Sequence, residues 1–386
     1  MMKAPSDIEK REVWKSYGDR RPVRVPMRWN VNARIILLNP QLNPKGWTFR
    51  DYFSDPVVTL AVQSRFQEYV ATVLNRTCDG VCELPAQWNF SVDNQNIYDS
   101  AYFGAEVLFA PSQVPVTHQF MTLDDVDAFI ARDFSRPLEN SWIRDRLDFH
   151  ARLTRAASSF EYLGRKGIVH PFGVFFDGPV TVATNLFGAD VFVLMAEDPG
   201  KARELLMTIT RAAIVRNRAL SELAGGWQKP DSWGIPDDSI ALISSEMLDE
   251  IVIPVHEYWL SEMSNTTVAG GRRNMHLCGD ATRHFPLLHR RLGIDSFDTG
   301  FPVDHGKLRA ELGPDVEISG GPEVALLKDG TPSQCHDRAR AILQSGIMAG
   351  GRFILQEGNN LPPCVPMANL EAVYAACLEY GRYPVQ

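Results

Sequence analysis

The second half of the chain alternates short apolar runs with longer amphipathic ones, and glycine or proline separates most of them. The short runs predict strands, and the longer runs, with apolar residues three or four positions apart, predict helices. The predicted strands are Asn274–Cys278, Ile294–Asp298, Val316–Ser319 and Phe353–Gln356. A helix follows each strand. The first ends near Leu292, the second covers Asp304–Leu312, the third begins at Thr331-Pro332-Ser333, and the fourth covers Leu370–Tyr380. Successive strand–helix units predict parallel strands joined by crossover helices.

The first half of the chain is less regular, but its capping signals are clear. Ser6 and Glu9 have the spacing of a capping box, which predicts a short N-terminal helix. Asp55-Pro56 and Asp198-Pro199 each supply an N-cap and a proline at the first helical position. Helices are predicted from Pro56 to about Asn75, Leu123–Phe134, Ser141–Ser158, Thr181–Phe187, Pro199 to about Leu223, and Glu246 to about Ser264. Strands are predicted over Pro22–Met27, Ala105–Phe109 and Val174–Phe176.

These elements predict an α/β protein with a single domain. The strand–helix series lacks a dinucleotide-binding fingerprint, which favours a closed barrel over a doubly wound sheet. No low-complexity linker divides the chain. We therefore expect a (β/α)8 TIM barrel over residues 21–386 with inserted helices, preceded by an N-terminal helical extension over residues 1–20.

Composition narrows the class of protein. The chain has 386 residues, of which 45% are hydrophobic and 22% charged, as in ordinary soluble proteins. A net charge of −8 offers no basic face to nucleic acid. No apolar run has the length of a membrane span, and the N-terminus lacks the apolar core of a signal peptide. With six scattered cysteines, this predicts reduced thiols in the cytoplasm, with neither nucleic acid nor a membrane as a partner.

The most specific chemical signal is His276-Leu277-Cys278, at the end of a predicted strand. Side chains alternate along a strand, so His276 and Cys278 project to the same face. A neutral imidazole and a thiolate on one face are half of a tetrahedral zinc site. The alternative is structural, since a buried cysteine is often only a small apolar residue and a histidine at a strand end often binds a backbone carbonyl.

Other polar residues also follow predicted strands. They are Asp298, then Ser319-Gly320-Gly321, and then Gln356-Glu357-Gly358-Asn359-Asn360. In a (β/α)8 barrel these strand ends meet at one rim, where active sites form. The pattern therefore predicts a ligand-binding mouth. Asp237-Asp238 is either a carboxylate pair near this mouth or a turn.

Several motifs together resemble the uroporphyrinogen decarboxylase superfamily, over about Arg21 to Tyr383. They are Gly104-Ala105-Glu106-Val107, Gly178-Pro179-Val180-Thr181, Ile243-Ser244-Ser245-Glu246, His276-Leu277-Cys278-Gly279, Gly350-Gly351-Arg352-Phe353-Ile354-Leu355, and Gly358-Asn359-Asn360-Leu361-Pro362-Pro363. The resemblance implies a single (β/α)8 barrel. The superfamily contains cofactor-free tetrapyrrole decarboxylases and zinc-dependent corrinoid methyltransferases, so it does not by itself name the reaction.

The decarboxylase branch fits poorly. Its carboxylate-binding arginine is matched by Arg28, but its active-site tyrosine falls at Asn185 and its late histidine at Asn359. An acidic chain is also a poor partner for a porphyrinogen with many carboxylates. Arg28 and Asn185 are then expected to bind a different substrate.

The methyltransferase branch fits better. Its His-x-Cys pair corresponds to His276 and Cys278, while its distant cysteine falls at Asn359, a poor zinc ligand. Cys364 lies five residues further along, and Asp298 is the nearest carboxylate on the next strand. The expected zinc ligands are therefore His276, Cys278, Asp298 and Cys364.

The resemblance implies a zinc-dependent methyltransferase that moves a methyl group between a corrinoid and a thiol or other nucleophilic acceptor. Zinc is the expected cofactor and cobalamin a co-substrate, and the expected partners are a small-molecule substrate, a separate corrinoid protein and a second copy of the chain in a homodimer. Glu357 and Asn359 are the predicted catalytic residues, and Arg28, Asn94, Asn96, Asn185 and Gln356 the predicted substrate-binding residues. The alternatives are a decarboxylase or lyase acting on a smaller carboxylate held by Arg28, and a barrel that binds without catalysis.

Overall fold

The computed structural model describes residues 5–265 and 272–384. Its α-helices are α1 (Asp7–Gly18), α2 (Arg34–Leu37), α3 (Phe49–Ser54), α4 (Pro56–Thr72), α5 (Tyr98–Phe103), α6 (Val126–Ile130), α7 (Ser141–Ala157), α8 (Pro179–Phe187), α9 (Asp190–Glu197), α10 (Pro199–Leu223), α11 (Ser245–Met247), α12 (Ile253–Met263), α13 (Phe285–Leu292), α14 (His305–Leu312), α15 (Val324–Asp329), α16 (Pro332–Leu343) and α17 (Met367–Tyr380). Its strands are β1 (Trp88–Phe90), β2 (Val107–Leu108), β3 (Val116–Thr117), β4 (Glu161–Tyr162), β5 (Arg165–Val169), β6 (Trp233–Gly234), β7 (Arg273–Leu277), β8 (Ser296–Thr299), β9 (Glu317–Gly320) and β10 (Phe353–Leu355). Short 3-10 turns cover Leu74–Thr77, Leu123–Asp125, Pro137–Glu139, Asp238–Leu242, Thr282–His284 and Ala349–Gly351.

The last five strands form one parallel sheet in the order β6-β7-β8-β9-β10. Helices on the outside join each strand to its sequence neighbour, which confirms the predicted strand–helix rhythm. Met27 pairs in parallel with Leu355 of β10, so the predicted first strand lies beside the last. Strands one and eight are neighbours in a (β/α)8 barrel, and this pairing has that arrangement.

The first half of the chain departs from the prediction in two places. Val107–Leu108 pairs with Val116–Thr117 in an antiparallel hairpin, so the predicted strand over Ala105–Phe109 is not a barrel strand. The segment 174–176 carries no strand ladder. Strands β1 and β5 pair in parallel, but among the described residues no ladder joins them to the five-stranded sheet. Side chains hold the segment 174–176 instead, because Arg216 of α10 donates a hydrogen bond of 2.7 Å to the Phe175 carbonyl.

Helix starts follow the predicted capping chemistry. The Ser6 hydroxyl and the Glu9 carboxylate form both bonds of a capping box at the start of α1. Asp55 accepts from the Val57 N–H at the start of α4, and Asp198 caps α10, which ends at Leu223 as predicted. These side chains satisfy N–H groups that the first helical turn leaves free.

A π-helical segment, Leu248–Val252, interrupts the predicted helix that begins after Ser244. Pro254 follows the segment and has no N–H to donate to the carbonyl of Glu250 four residues earlier. Arg203 of α10 donates to that carbonyl instead. A side chain of a neighbouring helix therefore supplies the hydrogen bond that the proline cannot make.

Taken singly, no helix in the described ranges is both long enough and apolar enough to cross a membrane. Helices α8 and α9, bent by 118° at the break between them, meet the length and composition test only as a pair.

A buried carboxylate joins the two ends of the chain. Asp79 is fully buried and accepts hydrogen bonds from the Arg24 guanidinium, from the Met27 N–H at 2.8 Å and from the Tyr374 hydroxyl at 2.7 Å. Arg24 and Met27 belong to the first strand segment, and Tyr374 belongs to the last helix, α17. The Asp79 carboxylate, which follows the 3-10 turn Leu74–Thr77, therefore holds the N-terminal strand segment and the C-terminal helix α17 together.

We expect Asp79→Asn to lower the free energy of unfolding by about 3–5 kcal/mol, because it leaves the buried Arg24 charge without a counter-ion. Urea denaturation measures this change. The control is Asp315→Asn, which removes a carboxylate that is 89% exposed and 3.9 Å from Arg20, and should change the free energy by less than about 0.5 kcal/mol. A similar small effect of Asp79→Asn would show that Asp79 does not carry this connection.

Candidate metal centre

A cavity of about 1080 Å³ opens at the carboxyl ends of the strands. Acidic or metal-ligating side chains line it from consecutive segments of the barrel: Asp177 after the segment 174–176, Asp238 after β6, His276 and Cys278 at the end of β7, and Asp298 on β8. The predicted ligand-binding mouth is therefore present. It lies where barrel enzymes place their active sites.

The orientation of His276 is set by the neighbouring strand. The parallel register places His276 of β7 opposite Asp298 of β8, and the two side chains lie on the same face. The His276 Nδ1 is 2.8 Å from an Asp298 oxygen. A carboxylate only accepts hydrogen bonds, so Nδ1 carries the proton and Nε2 is the nitrogen left for a ligand.

Two further side chains hold Asp298 in place. The amide of Gln356, which is fully buried, donates to the other Asp298 oxygen at 2.5 Å. The Gln356 carbonyl oxygen accepts from Arg28 Nε at 2.8 Å. Arg28 and Gln356, both predicted to bind substrate, thus lie behind the metal-binding face and outside the lining of the main cavity.

Asp238, His276 and Cys278 form a group with the donors of a metal site. One ligand atom from each lies within 4.8 Å of the others, and all three residues are half-buried. The Cys278 N–H also donates to an Asp238 oxygen at 2.7 Å, which fixes the two strand ends together. Nitrogen, sulfur and oxygen donors in one group suit zinc, and three protein ligands leave a fourth position for a substrate.

The carboxylate of this group is Asp238, whereas the sequence predicted Asp298. The reason is geometric, since Asp298 is already bound to His276 Nδ1 and to Gln356. The sequence contained the Asp237-Asp238 pair but left it open as a carboxylate pair or a turn, and it did not predict β6, which ends three residues before Asp237.

Asp237 holds the loop that carries Asp238. It is fully buried and accepts hydrogen bonds from the N–H and the hydroxyl of Thr181 at 2.8 and 2.9 Å. It also lies 2.9 Å from Nε2 of buried His256. Gly178 makes this packing possible, because a Cβ there would lie 2.2 Å from the Pro236 carbonyl oxygen. Asp237 is therefore structural, and Asp238 faces the cavity.

The electrostatics of the group favour bound protons or a bound cation. Burial lowers the pKa of His276, but hydrogen bonds with Asp298 and Cys278 and the nearby carboxylates outweigh it and raise that pKa to about 10. Burial also raises the pKa of the Cys278 thiol, although His276 opposes this. A metal that binds here must displace these protons, so its affinity should rise with pH.

The remaining predicted residues are distributed around the cavity. Asn359 and Asn96 line it, and Asn94 lines an adjoining cavity of about 560 Å³. Glu357 is fully buried and accepts from the Asn30 N–H at 2.9 Å, and burial raises its carboxyl pKa well above the ordinary value. Buried Glu357 therefore supports the cavity wall through Asn30 and is not among the residues that line the cavity.

Cys364 and Asn185 are not brought to the metal-binding group. The Cys364 thiol is exposed and lies 3.9 Å from the Leu38 carbonyl oxygen. Cys364 also has a φ of +61°, in the left-handed region. Asn185 lies on α8, outside the residues that line the main cavity.

Asp177 is a cavity residue that the sequence interpretation missed. The Tyr98 hydroxyl donates to an Asp177 oxygen, and the Asp177 N–H donates to buried Asp99 at 2.9 Å. Asp99 is in turn paired with buried Arg216 at 2.7 Å. The available signal was Phe175-Phe176-Asp177, an apolar run that ends in an acid like the other rim positions.

Known proteins resemble this chain in sequence and in fold. The sequence model described as "Uroporphyrinogen decarboxylase (URO-D)" matches residues 97–380, more than half of the chain. No curated protein matches. Among solved structures, a methyltransferase from Methanosarcina mazei is 17% identical, covers 97% of this chain and 99% of its own, and superposes with a TM-score of 0.61. A putative vitamin-B12 independent methionine synthase from Listeria monocytogenes covers 92% of this chain and 96% of its own, but at 13% identity and a TM-score of 0.39. The family match, the Methanosarcina mazei structure and the parallel sheet establish the TIM-barrel fold.

Asp177 should make stability depend on pH. Burial and the nearby Asp99 raise its pKa from the ordinary value of 3.8 to about 7. A raised carboxyl pKa means that the folded state binds the proton more tightly, so this group's contribution falls as pH rises from about 4 to about 7. We therefore expect Asp177→Asn to stabilise the protein, with a gain that grows over this interval and is largest above pH 7.

The measurement is the free energy of unfolding of both proteins at several pH values. Asp133→Asn is the control with the opposite sign, because a backbone hydrogen bond from Ser135 lowers the pKa of that exposed carboxyl. It should give a small loss at neutral pH and no gain. A gain for Asp177→Asn that does not depend on pH would contradict the assignment.

Proposed function

The chain belongs to the uroporphyrinogen decarboxylase family, and from that premise we propose that it is a zinc-dependent methyltransferase that moves a methyl group between a corrinoid and a thiol or other nucleophilic acceptor. The observation that carries the proposal is the group of Asp238, His276 and Cys278, whose ligand atoms lie within 4.8 Å of one another at the mouth of the cavity. Such a group is suited to holding a metal and presenting it to a substrate.

The residues fit zinc on two grounds. Imidazole nitrogen, thiolate sulfur and carboxylate oxygen are the donors that zinc takes in proteins, and catalytic zinc sites commonly have three protein ligands. The second ground is the hydrogen bond from His276 Nδ1 to Asp298, a support that most zinc-ligating histidines have. Asp298 thus contributes through His276.

When bound, zinc would lower the pKa of a coordinated thiol and so favour the nucleophilic thiolate. The protein's own residues fix the geometry. The chain Arg28–Gln356–Asp298 holds the His276 ring so that Nε2 faces the ligand position. Asn96 and Asn359, on the cavity wall, can donate and accept hydrogen bonds that orient the acceptor. Orientation of this kind brings the reacting atoms into line.

The methyl donor would be a corrinoid that arrives with a separate protein. The metal-binding group faces an open cavity of about 1080 Å³, which gives an acceptor and a methyl group access from the rim of the barrel. Decarboxylation of a carboxylate held by Arg28 is less well supported. Arg28 Nε is already bound to Gln356, and Arg28 does not line the main cavity.

Loss of a metal ligand should abolish zinc binding. We expect purified protein to contain stoichiometric zinc by elemental analysis, and Cys278→Ser to lose it together with thiol-dependent demethylation of methylcobalamin. Cys364→Ser is the matched control, because the Cys364 thiol lies apart from the group and beside the Leu38 carbonyl. It should keep both zinc and activity. Metal-free wild-type protein of unchanged fold would refute the proposal, and loss of zinc in Cys364→Ser would assign the ligands differently.

Removal of the support for His276 should weaken the metal site without destroying it. We expect Asp298→Asn to lower zinc affinity by about 10- to 100-fold, the usual effect of losing a carboxylate that orients a ligating histidine. Competition with a chromophoric chelator measures this change. Asp295→Asn is the control, because Asp295 is held near the start of β8 by the Arg273 N–H at 3.2 Å and does not touch His276. Equal affinities of the two variants would show that Asp298 plays no such role.

A further inference from the structure

One carboxylate on the cavity wall has no cationic partner of its own. Among the described lining residues, Asp238 belongs to the metal-binding group, Asp298 binds His276, and Glu83 is paired with Arg11 at 2.7 Å. The Asp177 side chain instead accepts a hydrogen bond from the neutral Tyr98 hydroxyl. Its charge is therefore available to a ligand in the cavity.

The position of Asp177 is firmly set. Its N–H donates to Asp99, and Arg216, which pairs with Asp99, also donates to the Phe175 carbonyl at 2.7 Å. Asp99 and Arg216 are both buried, so this pair clamps the backbone on each side of Phe176. Arg216 is ion-paired with Asp99 and makes no ion pair with Asp177. A recognition group held by rigid neighbours can select a ligand by geometry as well as by charge.

Aromatic side chains line the cavity together with this carboxylate. Tyr98 and Phe175 lie on the same wall, and Trp29 also lines the cavity. Phe175 is 78% exposed, which is unusual for a phenylalanine that the backbone holds so firmly. A carboxylate together with aromatic faces is the combination that proteins use to bind ammonium groups, since the rings attract a cation and the carboxylate neutralises it.

We propose that the substrate carries a positively charged amino group, primary or methylated, and that Asp177, Tyr98 and Phe175 bind it while the reacting atom lies at the metal-binding group. The inference rests on the proposed function in one respect, namely that the methyl acceptor is a thiol. Recognition of the ammonium group does not depend on methyl transfer. Arg34 lines the boundary between the main cavity and the adjoining one, so a negative group elsewhere on the same substrate can be accommodated.

The pKa of Asp177 is consistent with this role. Burial, Asp99 and Asp238 raise it, Tyr98 and Arg216 oppose the change, and the resulting pKa is about 7. A carboxyl group in this state is stabilised as an anion by a neighbouring cation, so an ammonium ligand would compensate for the burial of Asp177.

Binding can be tested without a thiol and without methyl transfer. The probes are 2-(methylthio)ethylamine, which is cationic, and 2-(methylthio)ethanol, its neutral counterpart, with affinities measured by titration calorimetry on the purified wild-type protein. A charge-assisted contact predicts at least about tenfold tighter binding of the amine. Asp177→Asn should remove this preference. Glu83→Gln is the matched control, because Glu83 lines the same cavity but is paired with Arg11, and it should keep the preference.

Transfer assays then separate this inference from the proposed function. With methylcobalamin as donor, kcat/KM for cysteamine should exceed that for 2-mercaptoethanol, and Asp177→Asn should raise KM for cysteamine about tenfold while that for 2-mercaptoethanol stays unchanged. Binding that favours the amine in a protein that transfers no methyl group supports the inference and overturns the proposed function. Transfer without any preference for a cationic thiol, or a preference that survives in Asp177→Asn, overturns the inference alone.

Discussion

The site depends on the parallel register of β7 and β8, which places His276 opposite Asp298 and allows the hydrogen bond of 2.8 Å between them. The bond assigns the Nδ1 proton, fixes the ring and leaves Nε2 as the nitrogen that can bind a metal. A shift of β7 by one residue would turn His276 to the face of the sheet opposite Asp298, because side chains alternate along a strand. The remaining parts of the site, Gln356 behind Asp298 and Cys278 two residues after His276, keep their roles only in this register.

The second constraint is the concentration of acids at one rim of the barrel. Asp177, Asp238 and Asp298 come from three different segments and line one cavity. Burial, Asp99 and Asp238 raise the pKa of Asp177, and Asp298 and Asp238 contribute to the raised pKa of His276 against the effect of burial. Without a bound cation the site therefore retains protons. A divalent metal at one end and an ammonium group at the other would each compensate for part of this negative charge, so one electrostatic feature accounts for both proposals.

Local signals made much of the fold predictable from sequence, but not the contacts between distant segments. The N-cap residues Ser6, Asp55 and Asp198 correctly predicted the starts of three helices, and α10 ends at the predicted Leu223. Parallel strands after residue 270 followed from the alternation of apolar runs and helices. The strand predicted over 174–176 is absent, and hydrogen bonds with Asp99 and Arg216 hold this segment instead of a strand ladder. No local sequence pattern reveals such a long-range pair. The same limit applies to the candidate metal ligands. His276 and Cys278 were recognisable by spacing, whereas the choice of Asp238 over Asp298 and the separate position of Cys364 depend on three-dimensional contacts.

The central claim is that one nitrogen, one sulfur and one carboxylate of this chain hold a zinc ion. Zinc K-edge X-ray absorption on the zinc-loaded protein tests it most directly, because sulfur at about 2.3 Å and nitrogen or oxygen at about 2.0–2.2 Å give distinct scattering. The account predicts a single sulfur ligand in protein without thiol, with the rest nitrogen or oxygen, and a second sulfur on addition of a thiol substrate. Two sulfur ligands before any thiol is added, or a zinc ion with no sulfur ligand, would contradict it.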